Sequence, residues 1–526
     1  RDSREDNLKP EDYQQFRNLG SACLSEDDRA QLLKFLQDEK NQGIVRSMGC
    51  VLMAPLVNEA KKEKSHDHCQ AAITHLTQVV LPQLDERKAA SVGSALSALQ
   101  KQLSRLPVPY TSQQEEADEY GLCRCCNALA ALTKPFIEEM KRKNGNYSTA
   151  SEDEELRMEL LKFCMRSLRE PLLEVELSRN RKSPLWHFAT EIMVTLPAIQ
   201  ESLPELLFFS SLRRSTQMDV GQSKESRACL AYLLFVQLIS IDTFPAVFSP
   251  VFVLQCNMEY INQLLSSKKE SHLLKGLALY AKSLESVQDN SLSVSLLELK
   301  DFYSVPQREK GLQVFQLFID KLDAEAKHKF FRCMLKTSNH AGVESYIVKN
   351  IRNQVELSMK EGNTNKWFLG EEFLSLLGLV LCLPQGAETD LLNSMDKIME
   401  SLNLLRYLFI RDKELRNATD VWEELCTIKD EYLEMLRVCI SMSRAYYSAE
   451  LKALREDQKL KAKEARDAAR STRLVKSITV KHEKVSNMSP EAQHQVLQSA
   501  LVTFDLMESL IVRIEEIAEE KLKILN

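Results

Sequence analysis

Three thiols in four residues, Cys123-Arg-Cys125-Cys126, are the densest set of reactive side chains in this sequence. Thiolates at such spacing suit zinc, which in a structural site takes four ligands, usually as two pairs. No second cysteine pair follows, and the other candidate ligands close by in sequence are His66, His68 and Cys69. A second set, Asn339-His340 with Glu344, has the residue types of general acid–base chemistry. Each set also has a plainer reading. The cysteines follow a proline-containing turn and fit a buried helix start, where a thiol packs as a small apolar group. Asn339 fits a helix N-cap. The motifs GxSxG, HExxH, GxGxxG and the phosphate-binding P-loop are all absent. The expectation is therefore no catalytic residue, no metal, no cofactor and no enzyme.

Other side chains point to binding. Lys459-Leu-Lys-Ala-Lys463 has the charge to meet phosphates, but Glu464 and Asp467 interrupt it and no aromatic accompanies it. That is the pattern of a solvated helix. A net charge of −6 and a pI near 6.0 also argue against a nucleic-acid partner. Arginine and aromatic side chains dominate interface energetics. On residue type alone, the expected partner contacts are Arg406, Arg411, Trp422 and Arg513, with Met507 and Ile511 as apolar neighbours. Trp367 and Phe368 adjoin an apolar stretch, Phe373 to Leu383, and are assigned to core.

The elements that must carry these residues are helices. With 14 glycines and 15 prolines in 526 residues, the chain has few of the loops on which enzymes mount their chemistry. Leu156, Leu160, Cys164 and Leu168 recur four apart. Leu391, Met395, Ile398, Leu402, Leu405 and Leu408 follow three- and four-residue steps, as do Leu425, Ile428, Tyr432, Leu436 and Ile440. Leu497, Leu501, Phe504, Ile511 and Ile514 mark a last helix from Pro490 to Leu525. Ser183-Pro184, Ser249-Pro250 and Ser489-Pro490 place an N-cap serine before a proline at the first helical position. Ser151 to Glu154 has capping-box spacing. No strand-length alternation and no unbroken run of 18 apolar residues stands out, so neither a sheet nor a membrane span is expected. Short connectors (106–109, 143–146, 289–290, 383–386) separate helix pairs of roughly 30–45 residues. The fold class expected is all-α, an irregular HEAT-like helical-repeat solenoid. It divides into an N-terminal region, 1–288, and a C-terminal region, 289–526, with a charged helix or linker at 452–473. Thirteen cysteines without a regular framework suit a reducing compartment, the cytoplasm, with the nucleus also open.

Several longer strings are distinctive. They are Leu106-Pro-Val-Pro-Tyr110, Asp118-Glu-Tyr-Gly-Leu-Cys-Arg-Cys-Cys126 followed by Thr133-Lys-Pro-Phe-Ile-Glu-Glu139, and Phe331-Arg-Cys-Met-Leu-Lys-Thr-Ser-Asn-His-Ala-Gly-Val-Glu344. Further on come Asn365-Lys-Trp-Phe368, Gly386-Ala-Glu-Thr-Asp-Leu-Leu392, Ser401-Leu-Asn-Leu-Leu-Arg-Tyr-Leu408 and Thr503-Phe-Asp-Leu506. In this order they resemble the glomulin family from about Tyr13 to about Leu525, most strongly after Asp289. The resemblance implies a HEAT-like helical protein without enzymatic activity. Its C-terminal part would bind the RING subunit of a cullin-RING (SCF-type) ubiquitin ligase, with the cullin, and cover the docking site of the ubiquitin-conjugating enzyme. It also implies FK506-binding immunophilins and a receptor tyrosine kinase as partners, and a link to vasculogenesis. A general helical-repeat scaffold or adaptor is the alternative. Against the family pattern, the stretch between Cys69 and Leu96 and the join from Val305 to Gly311 are shorter than expected. Each shortfall bears on N-terminal packing more than on the C-terminal surface.

Overall fold

A computed structural model of the chain describes residues 88–143, 151–177, 181–209, 220–296, 309–360, 365–418, 421–464, 479–480, 483–484 and 487–525, together with residues 11, 18 and 34. His66, His68 and Cys69, the connector beyond Lys143 and both shortened segments apart from their ends lie outside the described residues. The fold is all-α. Among the described residues the one β ladder pairs two residues with two, β1 (Thr479–Val480) with β2 (Glu483–Lys484). The chain forms two compact units, one of residues 1–288 and 300–318, the other of 289–299 and 319–526.

The first unit contains α1 (Lys88–Leu103), α2 (Ser112–Ala117), α3 (Leu122–Lys143), α4 (Ser151–Ser167), α5 (Pro184–Ala198), α6 (Leu203–Phe208), α7 (Val220–Ala231), α8 (Pro250–Leu265), α9 (Glu270–Glu285) and most of α10 (Glu309–Lys321). The serine–proline starts behave as their chemistry dictates. The Ser183 hydroxyl accepts from the Trp186 N–H and Ser249 from the Phe252 N–H, each satisfying a donor that has no partner inside the helix. Leu156, Leu160, Cys164 and Leu168 are all buried, as their spacing requires. Helices α8 and α9 pack as neighbours, whereas α1 packs on α4 and α3 on α5. The helices therefore do not pack solely as sequential pairs. Cys123 and Cys126 are buried at the start of α3, in the packing role expected of them.

The second unit contains α11 (Ala324–Thr337), α12 (Ala341–Ser358), α13 (Glu371–Val380), α14 (Met395–Ile410), α15 (Asp412–Ala418), α16 (Trp422–Glu464) and α17 (Pro490–Leu525). Helix α12 packs on α14, and α17 packs on both α14 and α16. The charged stretch from 452 continues α16 as helix to Glu464; the remainder of the predicted linker, to 473, lies outside the described residues. Phe368 is fully buried, while Trp367 is half-buried beside His328, with ring centres 5.4 Å apart. Both sit in a turn rather than in α13.

One expected cap is corrected. The α12 N-cap is His340, not Asn339: the His340 Nδ1 accepts from the Gly342 N–H at 3.2 Å. The Ser338 hydroxyl accepts the His340 N–H, which sets His340 in extended backbone one residue before the helix. Glu344 is engaged elsewhere, with Lys397 of α14 at 3.2 Å. The residues that had the types for acid–base chemistry therefore serve as a cap and a packing ion pair.

Candidate functional site: the C-terminal helical hairpin

Helices α16 and α17 lie side by side, and their register is fixed by charge and by one aromatic contact. Arg437 pairs with Glu515, and Arg444 with both Asp505 and Glu508, the latter at 2.7 Å. Tyr447 meets Phe504 edge-on at 5.3 Å. Arg437 and Arg444 are seven residues apart, two helical turns, so both point along one edge toward α17. The hydrogen bond to Asp505 holds the Arg444 guanidinium more firmly charged than usual.

Away from that edge, α16 shows Met435, Val438 and Met442 to solvent, at i, i+3 and i+7. At 100° per residue these positions form a strip on the face opposite the buried Leu433, Leu436 and Ile440. On α17, Val502 and Leu506 are likewise outward, at 63% and 52% exposure. Single exposed apolar residues are ordinary, but here each of the two helices carries a short outward apolar strip at helical spacing.

The structure sorts the six expected contacts. Arg406 is exposed on α14 and Arg513 is exposed on α17, where it pairs with Glu516 of its own helix at 3.0 Å. Arg411 is half-exposed and bonded to Glu414 at 3.0 Å; hydrogen bonding to Tyr407 pushes its pKa up. Trp422 is half-buried, its ring 5.2 Å from Phe409 and its centre 4.6 Å from the Arg416 guanidinium. Asp412 extends this knot to Lys521 of α17 at 2.8 Å. Trp422 therefore ties α14, α15 and α16 together.

Met507 and Ile511 are corrected. Both have no exposure, because they share the core-facing side of α17 with Phe504 and Ile514. The apolar side chains that α17 presents outward are Val502, Leu506 and Val512. Their signal was in the sequence: α16 and α17 carry apolar residues on more than one face. Pro490–Lys521 also meets the length and composition of a membrane-crossing helix, with mean hydropathy 1.2 over 18 residues. That signal was missed because single polar residues interrupt the run. Here the helix packs on α14 and α16 and is ion-paired along one edge, as a bundle helix is.

Two thiols of the cluster, Cys123 and Cys126, are buried and held protonated. Burial, then Asp118 and Glu115, push Cys123 up to about 12, and burial raises Cys126 well above the ordinary thiol range. A thiol held in the protonated form is a poor nucleophile. Among the described residues no three His, Cys, Asp or Glu side chains are grouped to hold a metal ion.

The family model described as "Uncharacterised protein family, YAP/Alf4/glomulin" matches residues 68–500. Glomulin of Homo sapiens is 40% identical over 582 aligned positions, covering 99% of this chain and 96% of the human protein; glomulin of Mus musculus matches to the same extent. The alignment is longer than this 526-residue chain, so these relatives carry segments absent here. A solved circular tandem repeat protein with novel repeat topology and enhanced subunit contact surfaces aligns over 98% of both chains, at 12% identity and a TM-score of 0.22. That score is too low for the likeness to bear on the fold.

Proposed function

The chain belongs to the YAP/Alf4/glomulin family, and from that membership we propose that it is a non-enzymatic inhibitor of cullin-RING ubiquitin ligases. Its second unit binds the RING subunit and denies that surface to the ubiquitin-conjugating enzyme. The observation that carries the reading is the exposed apolar strip of Val502 and Leu506 on α17, with exposed Arg513 two turns further along the same face.

Such inhibition needs shape rather than chemistry. A preorganised surface that buries about 1,600 Å² reaches nanomolar affinity when it carries good apolar anchors. At a free concentration of about 100 times its dissociation constant, it leaves a competitor about 1% of the sites. Helices locked by their neighbours lose little conformational freedom on binding, which keeps the cost of association low. Val502 and Leu506 supply apolar anchors, and the Arg437–Glu515 and Arg444–Glu508 pairs hold them in register.

The test is ubiquitylation in vitro by a purified cullin-RING complex, with and without the full chain. Transfer falls with rising protein and recovers with excess conjugating enzyme. Undiminished transfer at saturating protein overturns the reading.

A further inference from the structure

The first unit holds a groove of its own. Its volume is about 1260 Å³. The connector 106–110 between α1 and α2 forms one wall, α9 contributes Leu274, Ala278 and Ala281, and residues 170–176 after α4 form another wall. Tyr110, at the lip, is 86% exposed. Small-molecule pockets run to about 300–1,000 Å³ and enclose most of their ligand. This groove is larger, and its rim is open along the connector.

The charge of the lining is lopsided. Glu170, Glu174 and Glu176 come from one wall, and Glu270 from the start of α9. The two cations are Lys269, which is paired with Glu174, and Lys275. Lys275 is sealed in the floor: its Nζ donates to the Val175 carbonyl at 2.5 Å and lies 5.4 Å from the centre of the Tyr232 ring. Burial lowers its pKa to about 8. An incoming chain therefore meets carboxylates at the exposed edge and aliphatic carbon below.

We propose that this groove docks an extended segment of a partner protein carrying two or more Lys or Arg side chains around an aliphatic or aromatic anchor. The strip of Leu106, Val108, Leu274 and Ala278 takes the anchor, and the carboxylates along the edge take the cations. An acidic segment is rejected by the same carboxylates, since like charges brought together at an interface cost binding energy.

The experiment is selection of a random dodecapeptide library on the immobilised full-length chain, followed by fluorescence anisotropy with a synthetic copy of the most enriched peptide. The expected peptides combine basic residues with an apolar anchor and bind more weakly as salt rises. Glu170→Gln with Glu176→Gln removes two charges and weakens the synthetic peptide about tenfold, at ordinary energies for exposed pairs. Ala278→Trp fills the groove without changing charge and abolishes binding. Circular dichroism checks that each variant is folded, and Ala281→Trp replaces Ala278→Trp if that one is not. The proposal is overturned by an absence of enrichment, by enrichment of acidic or uncharged peptides, or by peptides that bind the glutamine and tryptophan variants as well as the original chain. RING inhibition is untouched in all these variants, which separates failure here from failure of the ligase reading.

Discussion

Leu506 and Met507 are adjacent in sequence and should report opposite things. Leu506 exposes 52% of its surface and Met507 none. Full burial of a leucine side chain is worth about 1.5–3 kcal/mol. About half of that remains to be gained when a partner covers Leu506, so Leu506→Ala should cost about 1 kcal/mol of binding, roughly fivefold in Kd. Val502, one turn earlier and more exposed, contributes similarly, and the double alanine variant should lose about 20-fold. Folding stability should change by no more than about 0.5 kcal/mol, because neither side chain is core. Met507→Ala empties a packed site and should destabilise the fold by about 2–5 kcal/mol while the folded fraction binds normally. Arg513→Glu, on the same face, reverses an exposed charge and should reduce affinity without lowering the melting temperature. The assays are calorimetry against a purified RING–cullin complex and chemical denaturation of the free chain. Binding by the Val502→Ala/Leu506→Ala variant within twofold of the original would refute the placement of the contact on this face.

Two further outcomes follow from buried groups. Lys275 has its pKa lowered from 10.5 to about 8 by burial. The unfolded chain holds the extra proton between those values, so the penalty is full below about pH 8 and fades as pH rises toward 10.5. Lys275→Met should therefore stabilise the first unit near pH 7 by about 2 kcal/mol, after the loss of one hydrogen bond, with the gain shrinking toward pH 10; denaturation midpoints across pH check this, and a pH-independent difference would contradict it. Among the described cysteines, exposed Cys382 should react rapidly with a thiol reagent at pH 8, whereas Cys123, Cys126, Cys164 and Cys229 should react only on unfolding, as read by site-resolved mass spectrometry.

The sequence was most legible where the controlling physics is local. Ser183, Ser249 and Ser489 each reach a backbone N–H three residues ahead, and that reach depends on nothing distant. His340 shows the limit of such reading. Asn339 is the better cap by propensity, but the Ser338 hydroxyl claims the His340 N–H and moves the helix start by one residue. The partner surface was less legible for a related reason. Periodicity on α17 identified Phe504, Ile511 and Ile514, and that same phase carries Met507 inward. A helix with apolar residues on more than one face does not state which face is covered. That choice is made by α14, about a hundred residues earlier in the chain, and by the Arg437 and Arg444 pairs that align α16. Once those contacts cover Met507 and Ile511, Val502 and Leu506 face outward of necessity, since i+4 spacing keeps them on one side. The exposed strip on α17 is thus a consequence of how the hairpin is anchored. Changes at Arg444 or Asp412 should then lower affinity for the RING–cullin complex in calorimetry, through the register of the anchors they hold.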